Sequence, residues 1–358
     1  MLRLEPRASH SVLAAWLSPL VALLMTVITG TVIFIAMGKD PAATLYIYFL
    51  QPLLSASGLS EVAVKAGPLV LIATGLSFGF RAGVWNIGAE GQYILGAIVG
   101  GGLAVFFHDS TNALLLPSML ALGIVGGMIW AAIPALLKTR FNANEILVSL
   151  MLVYIAELLL VYLVHGPWRN PQGWGFPGTR TFPDAAVLPV FFAQHRLHWG
   201  LILALAAPLL AWFLVAKTRF GFRVRLFGSA PLAARHAGVR STRMIWMTLL
   251  IGGGLAGLAG VIEASGTIGQ LVPIISPGYG FTAIIVAFLG RLHPLGVLLA
   301  GVVIAVTYIG GENAQIVAGL PKAVTSLFQG VILFYLLAFD LVTRYRLVFR
   351  RARGPEHA

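Results

Sequence analysis

The chain of 358 residues is 58% hydrophobic and only 10% charged, with a mean hydropathy of +0.90. Soluble globular domains carry about 25% charged residues, so this composition excludes an ordinary water-soluble domain. The net charge of +12 does not indicate a nucleic-acid partner, because the basic residues lie in short segments between apolar blocks, as the positive-inside rule describes. The lack of cysteine excludes disulfides and cysteine metal sites.

The apolar residues form blocks of about 17–25 residues, the length of a helix that spans a bilayer. They predict an all-α integral membrane protein with about ten transmembrane helices in a single membrane domain over residues 1–358. The first block follows Arg3 and Arg7, is longer than a signal-peptide core, and is interpreted as an uncleaved span. The predicted spans are 14–38, 62–80, 84–107, 113–137, 145–165, 199–216, 244–266, 280–290, 294–310 and 322–342.

The basic residues predict the orientation of these spans. With the N-terminus inside, 18 of the 24 Lys and Arg residues fall in cytoplasmic segments, which predicts that both termini are cytoplasmic. The loop 166–198 is rich in Pro, Gly and aromatic residues and is predicted to lie outside. The loop 217–243 has seven basic residues and no acidic one, and is predicted to lie inside. Within it, Pro231 and Gly238 are typical start and stop signals for a short cytoplasmic helix.

The most informative segment is 80–92, with the sequence FRAGVWNIGAEGQ. Asn86 and Glu90 are four residues apart, so within a helix they would share one face, with Gln92 close by. A carboxylate at membrane depth costs about 2.5–3.5 kcal/mol and requires a polar partner or a cavity. Two interpretations stay open: a polar element near a transport pathway, or a hydrogen-bonded network that holds the helix end in place.

Other charged residues lie in or next to the predicted spans. Asn144 and Glu145 fit the N-cap and first turn of the fifth span, although contact with a cytoplasmic partner is an alternative. Glu157 is predicted to be the deepest buried charge and to contact either another helix or the substrate. Lys65 and Glu263 lie nearer a membrane face. The pairs Gly123/Gly127 and Gly253/Gly257 predict close helix packing.

Several motifs are missing from the sequence. It contains no Walker-type phosphate loop, no histidine cluster with metal-ligand spacing and no Gly-x-Ser-x-Gly nucleophile segment. The chain is therefore not expected to be an enzyme or to bind a metal or cofactor of its own. If ATP powers its function, a separate polypeptide must supply the ATPase.

Four segments in order resemble blocks of the permease subunits of bacterial ATP-binding-cassette (ABC) importers of the nucleoside and simple-sugar type, which are related to ribose and branched-chain amino acid permeases. They are 80–92, 144–156 (NEILVSLMLVYIA), 221–238 (GFRVRLFGSAPLAARHAG) and 279–296 (YGFTAIIVAFLGRLHPLG). Ser149 and Val153 depart from the second block, where polar residues are usual, and the Val153 departure could bear on substrate preference.

The resemblance implies a set of partners in the bacterial cytoplasmic (inner) membrane. These are an ABC ATPase that binds ATP and Mg²⁺, a second permease (a paralogue or a second copy), a periplasmic or lipoprotein substrate-binding protein, and membrane lipid. It also implies that the ATPase docks on loop 217–243 at Gly228, Pro231, Ala234, Arg235 and Gly238.

Three other functions remain as alternatives. A permease of the same superfamily for another cargo fits the same blocks. An ion-coupled secondary carrier needs ionisable groups at the bilayer midplane, for which Glu157 is the main candidate. A membrane-embedded enzyme or receptor lacks a reactive group of residues.

Overall fold

The computed structural model describes residues 2–6, 12–192 and 194–349. Within these residues it contains thirteen α-helices and two short strands. By their contacts, the residues divide into two compact units, Pro52–Ile309 and Met1–Gln51 with Gly310–Ala358. The helices are α1 (Val12–Ala36), α2 (Pro41–Leu45), α3 (Ala56–Arg81), α4 (Ala89–Phe106), α5 (Leu115–Phe141), α6 (Glu145–His165), α7 (Gly200–Lys217), α8 (Arg219–Ser229), α9 (Pro231–His236), α10 (Ser241–Ile262), α11 (Tyr279–Leu289), α12 (Pro294–Ala318) and α13 (Ala323–Arg344). The strands β1 (Leu2–Pro6) and β2 (Tyr345–Phe349) pair antiparallel.

Seven helices among the described residues are long and apolar enough to cross a membrane: α3, α4, α5, α6, α7, α12 and α10 with the π-helical turn that follows it. Three shorter apolar helices lie at Leu20–Ala36, Tyr279–Leu289 and Ala323–Phe339. Each of the ten predicted spans overlaps one of these helices. The number of membrane crossings, the single-domain organisation and the side of the termini stay predictions.

At the centre of the larger unit, α10 packs against α3, α4 and α5. The α5–α10 contact is made by backbone, because a Cβ atom built at Gly127 would lie 2.0 Å from the Gly253 carbonyl oxygen. A Cβ at Gly257 would lie 2.2 Å from the Gly123 carbonyl oxygen. The prediction that these glycine pairs pack closely is confirmed, and the two pairs contact each other.

In the smaller unit, aromatic side chains form the core. Phe34, Tyr48 and Phe328 are buried, and the Phe328 ring stacks on the other two at centroid distances of 5.5 and 4.8 Å. Gly30 leaves room for the Phe328 ring, since a Cβ there would approach a ring carbon to 2.2 Å. Aromatic rings bury a large apolar area each and contribute strongly to the stability of a core.

The middle of the loop 166–198, about residues 179–188, is hydrogen-bonded to the backbone of residues 265–271. Thr179 N–H donates to the Leu271 carbonyl, and Leu271 N–H donates back to Thr179 Oγ1, both at 3.0 Å. Phe182 N–H and Leu188 N–H donate to the carbonyls of Gly269 and Ser265. These bonds hold the loop on the C-terminal end of the α10 span.

Candidate functional site

The segment between α3 and α4 is a turn rather than a continuous helix. Gly83 adopts the left-handed conformation (φ +70°) directly after the C-cap of α3, which ends the helix. Asn86 therefore lies outside any helix, and α4 begins only at Ala89. The prediction of a span over 84–107 with Asn86 and Glu90 on one helical face is wrong in this respect, because the four-residue spacing has meaning only within a helix.

Asn86 and Gln92 form a reciprocal amide pair inside the protein. Asn86 Nδ2 donates to Gln92 Oε1 at 2.8 Å, and Gln92 Nε2 donates to Asn86 Oδ1 at 3.0 Å. Asn86 Oδ1 also accepts a bond from Gly88 N–H. Both side chains are at most 2% exposed. The two amides bond each other and hold the turn against α4. Of the two interpretations, the hydrogen-bonded network at the helix end therefore explains the contacts of both residues.

Glu90 connects α4 to the start of α11. Its buried carboxylate accepts a hydrogen bond from Gly280 N–H and is also hydrogen-bonded to the Ser276 side chain. Ser276 Oγ in turn accepts bonds from the N–H groups of Gly278 and Tyr279. An anion beside unpaired N–H groups at a helix N-terminus is favourable. Glu90 therefore holds the first turn of α11 against α4, and the sequence did not reveal this contact across 190 residues.

Asn144 and Glu145 form the start of α6, as the sequence predicted. Asn144 Oδ1 accepts a bond from Ile146 N–H at 2.9 Å, and the Glu145 carboxylate pairs with Lys138 Nζ at 2.7 Å. These contacts fasten the start of α6 to the end of α5. Contacts within this chain therefore explain the positions of both residues.

Glu157 is exposed, so the prediction that it is a buried charge is wrong. The sequence did not show which face of α6 is buried. Ser149 and Val153 lie on the buried face and are 1% exposed. Val153 packs against Gly91, where a Cβ would lie 3.0 Å from the Val153 Cα. Val153 thus serves the α4–α6 contact, and Glu157 lies midway along an α6 surface of large apolar side chains.

The helices α8 and α9 are anchored by a small core. Val224 and Ala234 are fully buried and belong to one apolar cluster with Ala82 and Val84 of the α3–α4 turn. A Cβ at Gly228 would lie 1.8 Å from the Arg81 carbonyl oxygen, so α8 directly contacts the end of α3. Two of the predicted docking residues therefore hold the segment in place: Ala234 by its buried side chain and Gly228 by close backbone contact with Arg81.

The other predicted docking residues are on the surface. Pro231 is the first residue of α9, and Gly238 ends the helix with φ +77°, which confirms the predicted start and stop signals. Pro231 and Arg235 are exposed, and Leu232, which the sequence did not single out, is 73% exposed. We call Pro231, Leu232 and Arg235 the α9 tip.

A second polar cluster lies where α7 begins. Thr267 Oγ1 donates to Glu263 Oε2 at 3.3 Å and lies 3.4 Å from His198 Nε2. His198 Nδ1 accepts a bond from Gly200 N–H, and burial lowers the pKa of His198 to about 4. Lys65 Nζ lies 5.7 Å from the centre of the Tyr279 ring, a cation–π distance. Of this cluster the sequence singled out only Lys65 and Glu263.

The described residues define a helical membrane protein, with seven helices long and apolar enough to cross a bilayer. The chain belongs to the family described as branched-chain amino acid transport system / permease component, whose model matches residues 58–337. It is an ABC transporter permease subunit, as its relatives are.

Three curated relatives cover nearly the whole chain. The glucose ABC transporter permease protein TsgB13 of Haloferax volcanii is 37% identical over 96% of this chain and 93% of its own length. The guanosine ABC transporter permease protein NupP of Bacillus subtilis is 30% identical over 89% and 92%. The nucleoside ABC transporter permease protein NupB of Lactococcus lactis subsp. cremoris is 27% identical over 89% and 90%.

Proposed function

We propose that this chain forms one half of the membrane pathway of an ATP-driven importer for a nucleoside or simple sugar. A separate ABC ATPase binds ATP and Mg²⁺ and docks on the cytoplasmic side. A second permease completes the pathway, and a substrate-binding protein delivers the solute from outside. The assembly lies in the bacterial cytoplasmic membrane. Relatives described as glucose, guanosine and nucleoside permeases support this substrate class.

The observation that carries the proposal is the construction of the α8–α9 segment. Its inner face is fixed by Val224, Ala234 and the Gly228–Arg81 contact, whereas the α9 tip exposes an apolar side chain beside a cation. A surface that is rigid from within and apolar at its tip suits a lever that fits a cleft in a partner. Force on α9 would then reach the end of α3 and the turn that carries Asn86.

The contacts around that turn offer a route into the membrane. The Asn86–Gln92 pair ties the turn to α4, and Glu90 ties α4 to the start of α11. On the other side, Arg81 Nε donates to the Leu292 carbonyl just beyond α11. Movement of α8 therefore reaches both ends of α11 through short polar contacts. Binding of ATP to the partner would shift the balance between inward and outward states by this route.

The exposed face of α6 is the proposed surface for the pathway and the second permease. Glu157 lies midway along this 21-residue span. A carboxylate that faced lipid there would cost about 2.5–3.5 kcal/mol. A water-filled pathway, or a second permease across it, removes that cost.

Co-purification tests the docking proposal. The permease is tagged at its C-terminus, extracted gently from native membranes, and analysed for bound proteins by mass spectrometry. The L232D/R235E variant is expected to lose a co-purifying ABC ATPase by about tenfold or more, because it replaces the apolar anchor and reverses the charge at the tip. The matched control R219E reverses an exposed charge on the same segment and is expected to retain the ATPase.

Two results would contradict the proposal. One is equal ATPase retention by L232D/R235E and R219E. The other is wild-type protein that purifies alone from several mild detergents and whose uptake activity resists ATP depletion but collapses with a protonophore, as an ion-coupled carrier would. Uptake of labelled guanosine and labelled glucose in cells with and without the chain then separates the two solute classes.

A further inference from the structure

A basic cavity opens at the start of α10, which the proposed function places on the cytoplasmic side of the membrane. It has a volume of about 350 Å³ and is lined by Arg223, Arg240 and Arg243, with Gly238, Val239 and Met244 completing its wall. Arg223 comes from α8, whereas Arg240 and Arg243 come from the start of α10. We call this space the arginine cavity.

The three arginines have no partner within the described residues. None of them forms a side-chain hydrogen bond or an ion pair there, and all three are exposed. Lys217, Arg219 and Arg225 of the same segment are exposed as well, but they do not line the cavity. Residues 217–243 contain no acidic residue. Three arginines that line one space, in a segment with no acidic residue, form a positively charged site that suits an anion.

The position of the cavity indicates which kind of anion would bind there. Arg243 and Met244 belong to the first turn of α10, which begins a membrane-spanning segment, so the cavity lies at the membrane surface. The neighbouring helix α8 is amphipathic: Gly221 and Val224 are buried, and Phe222 beside Arg223 is 58% exposed. Aromatic and arginine side chains next to each other are typical of helices that lie in the headgroup region of a bilayer.

We infer that the arginine cavity binds the phosphate of an anionic phospholipid such as phosphatidylglycerol. Guanidinium groups bind phosphate oxygens in pairs, and basic pockets at the cytoplasmic ends of membrane helices recognise anionic headgroups. The bound lipid would neutralise the cavity and fix α8 to the start of α10, next to the α9 tip. The inference does not require that the α9 tip docks on the ATPase, so the two proposals can fail separately.

Lipid retention in nanodiscs tests the inference. The full-length permease, with the subunits that accompany it, is placed in phosphatidylcholine nanodiscs with or without phosphatidylglycerol, and retained phosphatidylglycerol is counted by native mass spectrometry. R223Q/R240Q/R243Q is expected to retain about a hundredfold less, because each of the three arginines contributes about 1 kcal/mol, a factor of about five, towards an anionic lipid. The control K217Q/R219Q/R225Q removes the same charge from exposed positions of the same segment that do not line the cavity. It is expected to retain at least about tenfold more phosphatidylglycerol than R223Q/R240Q/R243Q, because it keeps the paired guanidinium–phosphate contacts.

Additional measurements distinguish a bound lipid from a free anion and from a protein partner. Excess inorganic phosphate is expected to leave the lipid bound; displacement by phosphate alone would overturn the lipid assignment in favour of a free anion. Equal retention by the two triple variants, or equal loss by both, would overturn the site. Loss of the ATPase from R223Q/R240Q/R243Q with normal lipid retention would assign the cavity to the protein partner instead. If the triple variant does not fold, R240Q alone is expected to reduce retention about fivefold.

Discussion

Helices α10 and α6 are both long apolar spans, yet they occupy opposite environments in the larger unit. The apolar stretch of the α10 span is mostly buried in the protein, whereas that of α6 is mostly exposed, although α6 is the more apolar of the two. The more apolar helix is the less buried one. In a bilayer, lipid tails are as apolar as leucine, so apolarity does not drive a helix inward. Small residues do, because they let backbones approach: α10 contains five glycines over its 22 residues, and α6 contains none.

The role of small residues in burying α10 is tested most directly at the α5–α10 contact. Gly127→Ala places a Cβ 2.0 Å from the Gly253 carbonyl oxygen, where the opposing backbone cannot move as a flexible side chain would. We expect a loss of about 3 kcal/mol in the free energy of unfolding, at the upper end of the usual cost of overpacking. The measurement is thermal unfolding of the purified permease in mild detergent.

Gly330→Ala is the matched control for this change. Gly330 lies within α13 and a Cβ there would meet nothing within 4 Å. Its replacement is expected to be neutral or to stabilise by up to about 1 kcal/mol, because alanine is the better helix former. Equal melting temperatures for the two variants would show that glycine content does not determine which helix lies at the centre.

A second test concerns α7, another little-buried span, where it is fastened to α10. His198 packs against Gly200 and Gly266, and its pKa is lowered from 6.5 to about 4 by burial. Between these values the unfolded chain binds more protons, so the stability that neutral His198 provides is complete above pH 6.5 and is lost as the pH falls towards 4. The loss is expected to reach about 2–3 kcal/mol.

The His198→Asn variant isolates this contribution. Asparagine can still accept the bond from Gly200 N–H but does not titrate, so its melting temperature should fall less steeply between pH 6.5 and 4. Charged groups near His198, including Glu263 and Arg196, are common to both proteins, so the difference between the two pH profiles is the quantity to measure. Parallel profiles would show that His198 is accessible to protons in the folded state.

The Asn86–Gln92 pair gives a third test, within the closely packed part of the unit. Removal of either amide leaves the other buried without its partner, which costs about 1–3 kcal/mol. Asn86→Ala and Gln92→Ala are therefore each expected to destabilise the permease, and the double variant should lose less than the sum. A double-mutant cycle on thermal stability measures the coupling. Additive losses would mean that the two amides act independently.

Local signals in the sequence predicted local structure well. The N-cap at Asn144, the proline start and glycine stop of α9 and the glycine pairs of α5 and α10 were all correct, because each depends on backbone geometry within a few residues. Contacts between distant segments were not predictable: Glu90 to Gly280, Gly228 to Arg81, and the arginine cavity. The sequence also did not show which face of α6 is buried. A helix that is apolar on every side carries no periodicity to show which face is buried.

The last and smallest expected effect on stability is at Glu157. If its face of α6 contacted lipid, Glu157→Leu would stabilise the permease in a bilayer by about 2.5–3.5 kcal/mol. We instead expect a change within about 0.5 kcal/mol, because an exposed side chain beside water or a polar partner loses little when it is replaced. Solute uptake should fall several-fold, whereas Ile155→Leu, a conservative change at a neighbouring exposed position, should leave uptake unchanged. Strong stabilisation with normal uptake would place this face of α6 against lipid, and α6 would then differ from α10 only in having lipid rather than protein as its neighbour.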